Sequence, residues 1–185
     1  MMKKSFLALA VVSSCAAYAA TAQETNPTFY VAAQVGGSSV TDMDRTATQG
    51  TGIDKNTTVW GLYGGLKFDT VPWLALEVGY VDLGKIKFDN ANADFQASGF
   101  DFGAKFIHSV NEKFDVFARL GGIAYDWDAN GDACCSDSDV SATVGLGGAY
   151  NFQENWSALL DYKFYNNIGG SPDFHTYNIG VQYTF

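Results

Sequence analysis

Tyr177-Asn178-Ile179-Gly180-Val181-Gln182-Tyr183-Thr184-Phe185 is the stretch whose reading decides the fold. Tyr177, Ile179, Val181, Tyr183 and Phe185 alternate with Asn178, Gly180, Gln182 and Thr184, a period of two that runs to the last residue. This is a β-strand with one apolar face. A soluble domain seldom finishes on an aromatic strand end, because terminal residues fray unless they are tied down. A closed membrane barrel has a reason to finish there: its last strand pairs with its first, no edge remains, and outward residues meet lipid.

Working back along the chain, the same period predicts seven further strands of about nine to thirteen residues, the length a tilted membrane-spanning strand requires. They fall at 28–37, 58–68, 73–82, 96–107, 114–125, 140–150 and 156–165. One face of each is apolar. Phe29, Val31 and Val35 share such a face in the first, Trp60, Leu62 and Leu66 in the second, and Leu74, Leu76, Val78 and Tyr80 in the third. Phe100, Phe102 and Phe106 follow in the fourth, Val116, Ala118 and Leu120 in the fifth, Val144, Leu146 and Tyr150 in the sixth, and Trp156, Leu160 and Tyr162 in the seventh.

The aromatics on these faces gather towards strand ends, as an aromatic girdle at two lipid interfaces requires. The opposite faces combine glycines with Lys67, Glu77, Asp101, Lys105, Arg119, Asp161 and Lys163. The interior of an eight-stranded barrel is only wide enough for side chains to fill. These seven charges are therefore expected to form a paired polar network that plugs the lumen, since unpaired buried charges are costly. Three connections are short, at 69–72, 108–113 and 151–155, and four are long, at 38–56, 84–94, 126–139 and 166–173. Short periplasmic turns and long external loops are the asymmetry of outer-membrane barrels.

Residues 1–22 read as a secretory leader: Lys3 and Lys4 precede the apolar run Phe6 to Val12, and Ala17-Tyr18-Ala19 or Ala20-Thr21-Ala22 supplies the cleavage site. Val12-Ser13-Ser14-Cys15 offers a rival lipoprotein processing site. No apolar run reaches the roughly 20 residues of a membrane helix. Residues 23–185 are thus expected to form one all-β domain, an eight-stranded antiparallel up-and-down barrel.

The stretch Leu74 to Gly84, the Gly-rich alternation at Leu62 to Lys67 and the terminal Tyr183-Thr184-Phe185 together resemble the small outer-membrane barrels of the OmpA transmembrane-domain and OmpX type, often called porin-like. The resemblance covers essentially all of the mature chain. It implies residence in the outer membrane among lipids and lipopolysaccharide, a monomer, and recognition of Tyr183 and Phe185 by the barrel-assembly machinery. It does not extend to a peptidoglycan-binding domain, for which no sequence follows Phe185. The fold is shared by structural, adhesive and enzymatic members. A structural or adhesive role through the external loops, with no enzyme activity, is the leading expectation. A narrow channel for ions or small solutes is the alternative, followed by a lipid A-modifying enzyme and a soluble lipocalin-like carrier. The stretch His175-Thr176-Tyr177-Asn178-Ile179-Gly180 distantly resembles the His-x-Ser-Asn-x-Gly of lipid A deacylases, but Tyr177 stands where the nucleophilic Ser belongs.

Composition agrees, with 47% hydrophobic residues, 20 Gly and only 3 Pro suiting a strand-rich single domain. Loss of Lys3 and Lys4 with the leader takes the net charge from −9 to −11, which argues against nucleic acid as a partner. Cys134 and Cys135 are adjacent in the third long loop, about 3.8 Å apart at Cα, closer than an unstrained disulfide allows. The strongest local motif is Asp126, Asp128, Asn130, Asp132 and Asp137, with Gly131 at the sixth position. This is the spacing of an EF-hand calcium loop, though without flanking helices. Calcium is the only cofactor the sequence suggests, and an acidic solvated loop is the competing reading. His108 falls in a short turn and is expected to be solvated.

Overall fold

The computed structural model describes residues 27–41, 53–54, 56–88, 93–130, 135–170 and 173–185. The leader with Cys15, and Asp132 and Cys134, lie outside them. The strands are β1 (Pro27–Thr41), the two-residue β2 (Ile53–Asp54), β3 (Asn56–Phe68), β4 (Val71–Phe88), β5 (Ala93–Ser109), β6 (Phe114–Asn130), β7 (Cys135–Asn151), β8 (Trp156–Tyr165) and β9 (Asp173–Thr184). Between β8 and β9 lies a single 3-10 turn, Ile168–Gly170. No helix among the described residues is long and apolar enough to cross a membrane.

Apart from β2, which pairs only with the tip of β4, every strand has an antiparallel neighbour on both sides. The circuit closes where β1 meets β9, from Tyr30 opposite Thr184 to Thr41 opposite Asp173. The terminal residue is tied down as its aromatic alternation demands: the Phe185 N–H donates to the Phe29 carbonyl at 2.9 Å. Following paired residues round the barrel, Phe29 leads through Leu66, Leu76, Ala104, Leu120, Val144, Phe164 and His175 back to β1 at Ser39, ten residues further on. A stagger of ten residues over eight strands tilts them about 40° and gives each residue about 2.5 Å of rise along the axis.

The outward face is one that water would not stabilise. Leu62, Leu120, Leu146, Leu160 and Ile179 are all more than half exposed. Two aromatic rings bound this band. At the lower end lie Trp73 stacked on Phe106, Phe114 against Tyr150, and Trp156 edge-on to Tyr183, which in turn meets Phe185. At the upper end Tyr80 bridges Trp60 and Phe100 at centroid distances of 5.7 and 5.6 Å. On β6 the apolar outward run from Phe114 to Ala124 spans about 25 Å of axis, the height of a lipid-facing band. A soluble carrier, which keeps its apolar face inside, is excluded by this arrangement.

The strands are longer than the sequence pattern suggests. Residues 84–88, 126–130 and 135–139, expected in long loops, continue the ladders of β4, β6 and β7. The alternation persists there with its polarity reversed. Above Tyr80, Phe100 and Ala124 the outward positions become Asp82, Ser98 and Asp126, while Leu83, Ala97 and Tyr125 point inward and are buried. A search for apolar outward faces stops where lipid stops.

A bulge in β4 maintains the inward set. Asp82 faces Ser98 but Lys85 faces Gln96, so β4 carries one extra residue, and Leu83 and Ile86 both reach the interior. Gly84 makes this possible with φ of 81°, and a Cβ there would lie 2.2 Å from Thr57 Oγ1. Its N–H is held by Asp82 Oδ1 at 2.8 Å.

Candidate functional site

Two regions carry polar chemistry: the middle of the lumen and the part of the barrel above the upper girdle. In the lumen, β4 supplies Glu77, β5 Asp101 and Lys105, β6 Arg119, and β8 Asp161 and Lys163, all on inward positions. Glu77 Oε2 accepts from Arg119 Nε at 2.5 Å, and Oε1 accepts from Lys105 Nζ at 3.2 Å and Tyr30 Oη at 2.9 Å. Arg119 also donates to Asp161, whose Oδ2 accepts from Gln34 Nε2 at 3.1 Å. One layer higher, Lys163 Nζ donates to Asp101 Oδ2 at 2.7 Å and lies 3.9 Å from the Tyr63 ring centroid. Three cations thus meet three carboxylates, and the buried charge is balanced. The space beside them, lined by Tyr63, Glu77, Asp101, Arg119 and Lys163, is ≈ 10 Å³, room for about one water.

Lys67 departs from the expected network. It points inward near the lower mouth and is half-buried, with no ion pair among the described residues. The period-two pattern assigns its face correctly but not its height. In a sheet sheared by ten residues, height depends on the register of every neighbouring strand.

Above the ion pairs the lumen is filled by apolar side chains. Val59, Val81, Leu83, Ile86, Ile123 and Phe174 are buried, and Phe95 stacks on Trp127 at 5.7 Å. The chain between β8 and β9 folds into this end and buries Ile168 completely. Gly169, with φ of 71°, turns it back, its N–H donating to Tyr125 Oη at 2.9 Å while Asn167 N–H donates to Asp173 Oδ1 at 2.7 Å. This upper core was missed in the sequence. A signal for it exists in Leu83, Ile86, Phe95 and Phe174, apolar residues in segments otherwise rich in Asp and Asn.

Segments 42–56, 82–94, 126–139 and 166–173 contain twelve of the twenty acidic residues, every one an Asp, against four basic residues. Outward from the barrel, the charged pair Lys85 and Asp94 closes at 2.8 Å. The residues of the calcium-loop spacing lie on a hairpin ladder. Asp126 and Asp128 are opposite Ser138 and Ser136 on the outward face, whereas Asp137 is opposite Trp127 and shares its face. Asn130 ends β6, and Cys135 begins β7 opposite Ala129. The ladder therefore sets Asp137 on the opposite side of the sheet from Asp126 and Asp128. Among the described residues no three His, Cys, Asp or Glu side chains converge as a metal cluster.

His175 points outward at the upper girdle, on the same face as Tyr177. Its Nδ1 and Nε2 lie 2.7 Å from Tyr162 Oη and 3.1 Å from Thr41 Oγ1. Tyr177, at the position of the missing nucleophile, is exposed and packs on Tyr162 at 5.2 Å. His108 is exposed at the lower end of β5, within the strand rather than in the turn that follows it.

Residues 24–185 match the OmpA-like transmembrane domain. Outer membrane protein A of Yersinia pseudotuberculosis is 31% identical over 199 residues, covering 100% of this chain and 56% of the relative. Outer membrane protein A of Shigella flexneri is likewise 31% identical over 198 residues, again with 100% and 56% coverage. The chain spans a little over half the length of these relatives. Among solved structures, Neisserial surface protein A superposes with a TM-score of 0.62 at 13% identity, covering 85% of this chain and 97% of that one. Ail, the attachment invasion locus protein of Yersinia pestis, in complex with the heparin analogue sucrose octasulfate, gives 0.56 at 16% identity, covering 86% and 99%. At these identities the likeness is one of fold.

Proposed function

The chain belongs to the OmpA-like transmembrane domain family and resides in the outer membrane, and from that premise we propose that it is a surface-interaction protein whose working part is the barrel above the upper girdle. The observation that carries this reading is the filled lumen. A balanced ion-pair layer is capped by an apolar core, and a sealed interior leaves the external surface as the place where this chain meets other molecules. Ail is a fold neighbour crystallised with a sulfated heparin analogue. The external segments here carry three acidic residues for each basic one, so a sulfated polyanion would be repelled and a cationic partner favoured.

In this reading Phe185, hydrogen-bonded to β1 and exposed at the lower girdle, is the assembly signal, and the two girdles suit a monomer seated among lipopolysaccharide and phospholipid. The test is attachment. Cells displaying the chain should adhere to coated protein surfaces, and shortening segments 42–52, 89–92 and 131–134 should abolish adherence while leaving heat-modifiable migration intact. Planar-bilayer recordings should show no discrete conductance. Steady openings would favour the narrow channel, and adherence unaffected by shortening would overturn the surface role.

A further inference from the structure

The lipid-facing wall is not evenly filled. Across β5, β6 and β7, Phe106 is paired with Ala118 and Ala118 with Leu146, and one row lower His108 is paired with Val116 and Val116 with Gly148. Phe106, Val116 and Leu146 stand exposed on the outer surface, while Ala118 between them is half-buried. They enclose a groove of ≈ 380 Å³ just above the lower girdle, with Ala118 on its floor and His108 at its lower end. Gly148 continues the low ground. A Cβ there would meet nothing nearer than the Asp115 carbonyl at 3.6 Å, so packing within the chain does not require glycine at this position.

The lower end of the groove differs chemically from its walls. His108 is exposed on the outward face at the level of the girdle, and its imidazole has no hydrogen bond or ion pair among the described residues. Below it runs the turn from β5 to β6, where the Lys113 carbonyl accepts from Asn151 N–H at 2.8 Å. The Lys113 side chain is exposed and, among the described residues, unpaired; Glu112 beside it is exposed too.

We propose that this groove is a binding site for one phospholipid of the inner leaflet, with an acyl chain lying over Ala118 and the phosphate diester held by His108 and Lys113. The inference concerns the opposite end of the barrel from the surface-interaction reading and depends only on residence in the outer membrane. Short turns of such barrels face the periplasm, which puts the lower girdle in the inner leaflet. The groove is continuous with the apolar band already in lipid, so hydrocarbon is what meets it. Left empty, its lining would forfeit dispersion contacts, and a flexible chain can follow its floor. Phe106 and Leu146 confine that chain from two sides, a restraint that a convex barrel wall does not otherwise impose. Aromatic girdles mark the headgroup level, so a lipid seated here carries its phosphate to the height of His108 and Lys113. Charge-assisted hydrogen bonds from these cationic donors then fix the headgroup.

The test folds the full chain in nanodiscs of palmitoyl-oleoyl phosphatidylethanolamine doped with palmitoyl-oleoyl glycerol, which has the same chains and no phosphate. Lipid retained after transfer to mild detergent is counted by native mass spectrometry. One phospholipid per barrel should remain, enriched about tenfold over the phosphate-free lipid. Ala118→Phe fills the groove from the lipid side, so it should keep heat-modifiable migration and lose the retained lipid. Ala33→Phe, on the lipid-facing side of β1, should leave retention unchanged. His108→Ala should lower the enrichment severalfold while keeping the fold. Equal retention of the two lipids, a comparison that needs no altered protein, would overturn the proposal. So would retention unaffected by Ala118→Phe, or a barrel that emerges with no lipid or as a dimer lacking one.

Discussion

Within one continuous sheet, the part between the girdles and the part above them solve opposite problems. Between the girdles Leu120 and Leu160 face out, while Glu77 and Arg119 face in. Above them Ser98 and Asp126 face out, while Leu83 and Phe174 are buried inside. The strands do not change. The solvent outside them does, and the interior follows: where lipid takes the apolar side chains the lumen is left polar and must balance its charges, and where water returns the lumen becomes an ordinary hydrophobic core. The difference shows that inside and outside in this fold are defined by the medium at each height, not by the strand.

The largest effect should come from the lumen between the girdles. Glu77→Ala strands Arg119 and Lys105 without their shared carboxylate, and breaking a buried pair of this kind costs about 3–5 kcal/mol. Denaturant titration in detergent micelles reads it. A loss under 1 kcal/mol would mean the layer is wet and the contrast with the upper core is weaker than drawn. Next, Ile123→Ala should cost about 2–5 kcal/mol, as in a soluble core. Its effect should be the same in thin and thick bilayers, because the residue lies at the level where lipid ends.

The outer surface offers the sharpest contrast at a slightly smaller scale. Leu120→Arg, in the lipid band, should cost about 2–4 kcal/mol, whereas Ser98→Arg, above the girdle, should cost at most about 1 kcal/mol. Equal costs would erase the boundary placed at Tyr80 and Phe100. The smallest effect is expected for Lys85→Ala, which breaks an exposed ion pair with Asp94 and should change stability by less than about 1 kcal/mol, and by less still at high salt.

Much of the lower barrel was legible because its two faces differ in every strand. The alternation of Tyr177 to Phe185 announces a strand facing lipid, and the same rule assigns the correct face to Glu77, Asp101, Lys105, Arg119, Asp161 and Lys163. The upper core was not legible by that rule. Leu83, Ile86 and Phe95 sit among Asp, Asn and Lys, and a pattern tuned to outward apolar residues takes such stretches for loops. The calcium-loop spacing says nothing of faces: Asp126 and Asp137, which its pattern groups together, stand on opposite faces of the β6–β7 ladder.

By itself, the sequence determined the period, and with it the strands, the closed barrel and which residues face inward, because side-chain direction in a strand alternates with each residue. Only the tertiary structure decided at what height each residue stands and whom it meets. Partnerships such as Arg119 with Glu77 and Asp161 and the exclusion of Lys67 follow from the ten-residue stagger on closing the barrel. That stagger is a property of all eight strands together.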